Sequence, residues 1–243
     1  MNKIILIFLW ITFNVNAEQE AINIPQSLLN EVENGHAESA YFIAIQYDQK
    51  SYNNEAFYNK AKEWMQKAAD MGYPQAMYEL AKMLDAEKSE VTALKWFIKA
   101  SEFGHAESLY NIANYHIQGL ADNPVNCETA YSWYERAQSK DSIAAYNDHA
   151  WSLATSANPD CRNPERALRV FAKINSQYQF KKQEMPIIYL DTKAAIHASL
   201  SDFNKAITLQ QIVVDKISDE NENKAEFIER LNFYKNRKVW MQQ

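Results

Sequence analysis

Small and apolar residues recur along this chain at helical spacing, and whole blocks of that spacing recur at nearly fixed intervals. Ala61, Trp64 and Ala68 stand at i, i+3 and i+7, as do Ala93, Trp96 and Ala100, then Ala130, Trp133 and Ala137. These positions share one stripe of an amphipathic helix, where alanines admit a neighbouring helix closely and the indole fills the gap between units. A second frame sits between the first: Gly35-His36-Ala37-Glu38-Ser39-Ala40-Tyr41, Gly72-Tyr73-Pro74-Gln75-Ala76-Met77-Tyr78 and Gly104-His105-Ala106-Glu107-Ser108-Leu109-Tyr110, with glycines 37 and 32 residues apart. A period in the thirties with two helices per unit marks a solenoid. The pattern predicts helix pairs at 36–49 with 53–71, 74–86 with 89–103, 106–118 with 125–139, 143–155 with 164–176, and 185–199 with 203–217. A terminal helix from 222 to 238 carries Phe227, Leu231 and Tyr234 on one stripe and Lys224, Glu226, Glu229, Arg230 and Lys235 on its outer face. The fold expected is all-α: a right-handed superhelical solenoid of about five helix-turn-helix repeats plus a C-terminal capping helix, since a solenoid end needs a polar outer face.

Boundary chemistry agrees with these elements. Gly72 and Gly104 suit the left-handed position after a helix, Pro74 and Pro164 suit a first turn, and Ser89 with Thr92, or Asp202, can accept first-turn amides. The 243 residues contain only 4 Gly and 6 Pro, where average usage predicts about 17 and 12. So few glycines, never clustered, exclude phosphate loops, dinucleotide fingerprints and nucleophile elbows. A net charge of -6 argues against nucleic-acid binding through a basic surface.

The first residues read as a cleaved export signal: Lys3, an apolar run Ile4 to Phe13, then Val15-Asn16-Ala17 with short residues at the cleavage positions. About ten apolar residues are too few to span a hydrocarbon core that needs about 20, so stable membrane insertion is not expected after cleavage. The mature chain then starts near Glu18, and losing Lys3 takes the charge from -6 to -7. The expected location is periplasmic or secreted. Cys127 and Cys161, the only two cysteines, both lie in polar stretches. In an oxidising compartment a disulfide is the economical reading, with two free thiols or a reactive cysteine as alternatives.

The residues from 35 to 138 resemble Sel-one-like (Sel1) repeats, relatives of tetratricopeptide repeats that pair an A-x-x-W-x-x-x-A helix with a following G-x-x-x-A turn and helix. The remainder is similar to tetratricopeptide repeats of a bacterial type: His149-Ala150-Trp151-Ser152-Leu153-Ala154-Thr155-Ser156, Arg162-Asn163-Pro164-Glu165-Arg166-Ala167-Leu168, Tyr189-Leu190-Asp191-Thr192-Lys193-Ala194-Ala195 and Asp202-Phe203-Asn204-Lys205-Ala206. His149 and Lys193 stand where that pattern has an apolar residue, which predicts more exposed sites there. The implied organisation is a leader at 1–17, a lead-in helix at 18–34, Sel-one-like repeats at 35–139, tetratricopeptide-type repeats at 140–220, and a capping helix and tail at 221–243.

No HExxH, paired His/Cys spacing or Asp-rich loop is present, so no metal or cofactor is expected. His36 and His105 occupy one repeat position and are expected to cap or solvate a helix start, whereas His116, His149 and His197 fall at packing positions. The acidic clusters Asp85, Glu87, Glu90 and Asp219, Glu220, Glu222 read as solvated loops. What the pattern does predict is a binding surface. First helices line the concave side of such a stack, and the position three before each small residue is Tyr41, Tyr78, Tyr110, Asn147 and Asp191, with Lys82 and Asn114 as polar neighbours. Tyrosine gives rigid contact area with a hydroxyl handle, which suits a peptide or protein partner. The expected function is therefore a non-enzymatic interaction scaffold or adaptor of the bacterial envelope. The alternative is a protein that binds or modifies cell wall, recognising peptidoglycan or β-lactams, as some exported relatives of the resembled family do.

Overall fold

The computed structural model describes residues 22–241, so the leader expected at 1–17 and the start of the lead-in lie outside the described residues. A short helix α1 (Gln26–Glu33) precedes five helix pairs: α2 (Ala37–Asp48) with α3 (Glu55–Asp70), α4 (Pro74–Ala86) with α5 (Glu90–Glu102), and α6 (Ala106–Gln118) with α7 (Cys127–Gln138). The series continues with α8 (Ile143–Thr155) and α9 (Pro164–Lys181), then α10 (Ile187–Ser199) and α11 (Phe203–Lys216), and α12 (Lys224–Lys235) closes it. The result is an all-α solenoid. Each helix packs on the next in order, and the first helices of later pairs also touch one another, α6 with α8 and α8 with α10. Second helices of successive pairs have no contact of that extent. In a curved stack the layer in closer mutual contact is the inner one, so α6, α8 and α10 line the concave side, and the repeat assigns α2 and α4 to the same layer.

Local chemistry explains the boundaries. Four of the five second helices start behind an Asn or Asp whose side chain accepts a first-turn amide: Asn54 from Phe57, Asn126 from Thr129, Asn163 from Arg166 and Asp202 from Lys205. Ser89, expected to do the same for α5, makes no such bond. Pro74 and Pro164 occupy first-turn positions, where their missing N–H leaves no helical bond unmade. Between pairs the chain turns at Gly72 and Gly104, with φ of +93° and +91°. α9 runs to Lys181, beyond the expected 176, because nothing from Ser176 to Phe180 breaks a helix and Tyr178 packs on Tyr189 with ring centroids 5.8 Å apart.

The core is built on alanine. Ala44, Ala68, Ala81, Ala100, Ala113 and Ala137 are fully buried, which lets neighbouring helices approach, and Ile43, Met77, Leu80, Phe97 and Ile112 fill the space between them. Trp64, Trp96 and Trp133 are half-buried, each with a cation one turn on lying over its ring: Lys67 at 4.9 Å, Lys99 at 4.5 Å and Arg136 at 3.9 Å. A disulfide joins Cys127, at the start of α7, to Cys161, in a 3-10 turn after α8, with Cα atoms 5.7 Å apart.

Two sequence expectations are overturned in the C-terminal half. His149, more exposed by its departure from the repeat pattern but at a packing position by its helical phase, follows the phase: it is fully buried, stacked on Tyr131 at 4.7 Å and on Tyr134 at 5.6 Å. Aromatic faces accept an imidazole as they would an apolar ring, provided it stays neutral. Arg230, expected on the outer face of the cap, is buried: its Nε donates to Asp191 at 3.0 Å and its guanidinium lies near the rings of Phe227, Trp151 and Trp240. The cap helix is thereby latched to α10.

Candidate functional site: the inner face of the first helices

The three tyrosines expected in register occupy equivalent places on α2, α4 and α6, and all are half-buried. Each is held by a different set of neighbours. Tyr41 meets Tyr73 with centroids 5.1 Å apart. Tyr78 stacks on His105 at 4.3 Å and tilts against Phe97 at 5.9 Å. Tyr110 donates its hydroxyl to Asp148 Oδ2 at 2.6 Å and lies 6.3 Å from Tyr134.

Around Tyr78 a closed polar ring spans two repeats. Lys82 Nζ lies 5.4 Å over the Tyr78 ring and 2.9 Å from Glu79. Glu79 accepts from Gln75 at 3.0 Å, and Gln75 Oε1 is 3.0 Å from His105 Nε2. That carbonyl oxygen can only accept, so His105 carries its proton on Nε2 and takes the Ser108 hydroxyl, 3.1 Å away, on Nδ1. Burial pushes the His105 pKa down, against the pull of Glu107 and Glu79, which favours this neutral tautomer. His105 therefore does not cap its helix through its side chain, as expected, but joins one repeat to the next; His36, its counterpart, is exposed and also makes no cap bond.

The remaining predicted positions divide. Lys82 is exposed. Asn114 is half-buried and its carbonyl accepts from Tyr134. Asn147 and Asp191 are buried, with 6% and 2% exposure. Asp191 accepts from Arg230 Nε and, at 2.8 Å, from Gln210 Nε2 in the buried latch, where burial lifts its pKa to about 6 against the opposing pull of Arg230. An acid neutralised by its own chain inside the fold has no charge to offer a partner. The inner face therefore brings together Tyr78, Lys82, Tyr110 and Asn114, with Tyr41 further along α2, and leaves Asp191 out.

Asp148 was missed in the sequence. It belongs to no repeated motif, and its bond to Tyr110 spans 38 residues; its only signal was adjacency to Asn147, which donates to its Oδ1 at 3.0 Å. Among the described residues no group of three or more His, Cys, Asp or Glu is placed to hold a metal ion, and no helix is long and apolar enough to cross a membrane.

A stack of helix pairs with a polar and aromatic inner layer defines a helical-repeat protein. The Sel1 repeat family model matches residues 37–73, 74–105 and 106–141, so the chain carries three consecutive Sel1 repeats. Proteins of this repeat type are generally non-catalytic scaffolds for protein–protein interaction. Two solved structures have the same fold. One is a Sel1 repeat protein from Oxalobacter formigenes, 19% identical, TM-score 0.59, covering 86% of this chain and 92% of that one. The other is c5321, described as a protective antigen present in uropathogenic Escherichia coli strains displaying an SLR fold; it is 16% identical, TM-score 0.53, with 87% of this chain matched to 52% of that one. No curated protein matches the chain.

Proposed function

We propose that this chain is an exported, non-enzymatic scaffold of the bacterial envelope, periplasmic or secreted, whose inner face holds a peptide or protein partner. The observation that carries the reading is the ring of Gln75, Tyr78, Glu79, Lys82 and His105. It fixes a tyrosine and an exposed ammonium in place before any partner arrives, so little side-chain freedom is left to lose on binding. Export is supported by Lys3 with the apolar run Ile4 to Phe13, and by the Cys127–Cys161 disulfide, a bond that persists in oxidising compartments.

The test is a crosslinked capture with tagged protein in its native envelope fraction, run beside Tyr78→Ala/Tyr110→Ala and beside Lys82→Glu, with bound proteins identified by mass spectrometry. A recurrent partner lost from both variants, each with unchanged helical circular dichroism, is the expected result. Undiminished capture by both would overturn the inner-face reading. Export is checked separately: a mature N-terminus near Glu18 in the periplasm or medium is expected, and an intact Met1 start in the cytoplasm would remove it.

A further inference from the structure

Asp148 lies on α8 where α8 meets α6, half-buried on the inner layer. Its two oxygens accept from neutral donors only, the Tyr110 hydroxyl at 2.6 Å and the Asn147 amide at 3.0 Å. Among the described residues, no ion pair includes Asp148. A carboxylate taken part-way out of water without a counter-charge is costly, and its pKa is pushed up by that burial even though both donors pull it down. The contrast with Asp191, the other deeply set acid, is instructive, because Asp191 has Arg230.

A second observation points the same way. Asn147 is buried, and its Oδ1 has no donor. Its Nδ2 is committed to Asp148, and amide geometry keeps the two atoms about 2.2 Å apart, so the unpartnered oxygen lies beside the same carboxylate. The opposite amide assignment would set two acceptors against each other at 3.0 Å. The site thus places a negative charge beside a buried acceptor that has no partner. Tyr110 forms one wall, and Tyr189 on α10 packs on the same part of the core; burial, then Tyr178, then the Asp148 charge raise its pKa.

We propose that Asp148 and Asn147 form an anchor on the inner face for an arginine guanidinium of the bound peptide, flanked by Tyr110 and Tyr189. A guanidinium carries several donors in one plane, is weakly hydrated and stacks on aromatic rings, which matches two adjacent acceptors beside tyrosines better than a compact, strongly hydrated ammonium does. The proposal rests on the inner-face scaffold reading and specifies what that face recognises.

The experiment titrates isotopically labelled protein with acetyl-Gly-Ala-Arg-Ala-Gly-amide and with the same peptide carrying citrulline or lysine in place of arginine. Amide signals of Tyr110, Asn147, Asp148 and Tyr189 are expected to shift with the arginine peptide, and the citrulline peptide to bind at least about tenfold more weakly. Asp148→Asn keeps the shape: the new amide can accept from Asn147 and donate to the Tyr110 oxygen. It should abolish the arginine preference while raising the melting temperature by about 2–4 °C, because an uncompensated charge has gone. A carboxylate needed only for structure would lower the melting temperature instead, and that result overturns the proposal. So do equal affinity for arginine and citrulline peptides, equal affinity for lysine, or no shifted signals at millimolar peptide. In the envelope capture, a partner lost from Tyr78→Ala/Tyr110→Ala but kept by Asp148→Asn would retain the scaffold and remove this anchor. Retention by both would remove both.

Discussion

Buried polar side chains divide the solenoid into two unlike regions. Among the described residues, before residue 141 they are Ser39 and Ser108; after it they are Asn147, His149, Ser152, Thr155, Asp191, Thr192, His197, Gln210 and Arg230. The three Sel1 repeats use alanine contacts, glycine joints and the Trp64, Trp96 and Trp133 ladder, all transferable from one unit to the next. The later pairs are held by side-chain networks that occur once each. A repeat with an interchangeable interface can be stacked indefinitely, whereas a network with named partners fixes where the stack ends and which helix closes it.

The largest expected effect follows from cutting that closing network. Arg230→Met leaves Asp191 buried without its cation and should cost about 3–5 kcal/mol. Asp191→Leu combined with Arg230→Met should restore most of the stability, since a buried pair replaced by apolar groups of similar volume is often neutral. Urea titration measures both. If the two regions are as separable as their cores imply, hydrogen exchange in Arg230→Met will rise in α10 to α12 and stay unchanged in α2 to α5. Uniform loss of protection would show one cooperative unit instead.

Acid should distinguish the regions next. Burial between Tyr131 and Tyr134, with a smaller contribution from Arg166, lowers the His149 pKa from 6.5 to about 3. The unfolded chain therefore binds one more proton than the folded chain across that window. The His149 contribution is intact above pH 6.5 and is lost as pH falls towards 3, by about 2–3 kcal/mol at pH 4.5. Asp191 works in the opposite sense between about 4 and 6, because its folded pKa is raised. The readout is thus the difference in pH slope between the wild type and His149→Gln, with the variant expected to lose stability less steeply below pH 6.5. Parallel slopes would show that the imidazole is not kept neutral.

Where repetition governs, the sequence was legible. Ala61, Trp64 and Ala68 recur because the same helix packing recurs, so helix limits at α4, α6, α8 and α10 follow within two residues of their prediction. The inner face was legible only in part. Tyr78 and Tyr110 follow the period, but the partners that orient them, His105, Gln75 and Asp148, are selected by contacts 30 to 38 residues away. Arg230 was assigned to the outer face of the cap, and His149 was read both as a packing position and as a more exposed site. Periodicity shows which side of a helix faces inward, but the partner that makes an inward polar group tolerable is a tertiary fact.

The joints between pairs give the smallest effect and the sharpest comparison. Gly104 and Asp141 end α5 and α7 with the same pair of bonds. The Gly104 N–H donates to Ser101 O and the next N–H to Ala100 O; the Asp141 N–H donates to Gln138 O and the next to Ala137 O. Both residues are left-handed, at φ of +91° and +59°. An added Cβ at Gly104 would meet nothing within 4 Å, so Gly104→Ala isolates the backbone cost, about 1 kcal/mol. Asp141→Gly relieves the same strain and should gain about 0.5–1 kcal/mol. The ion pair it removes, Asp141 with Lys173 at 3.3 Å, is exposed and contributes little. Opposite shifts in the urea midpoint would show that the third joint between pairs keeps the geometry of the first two after losing their residue. If Asp141→Gly lowers the midpoint, the carboxylate at that joint is stabilising the C-terminal region in its own right.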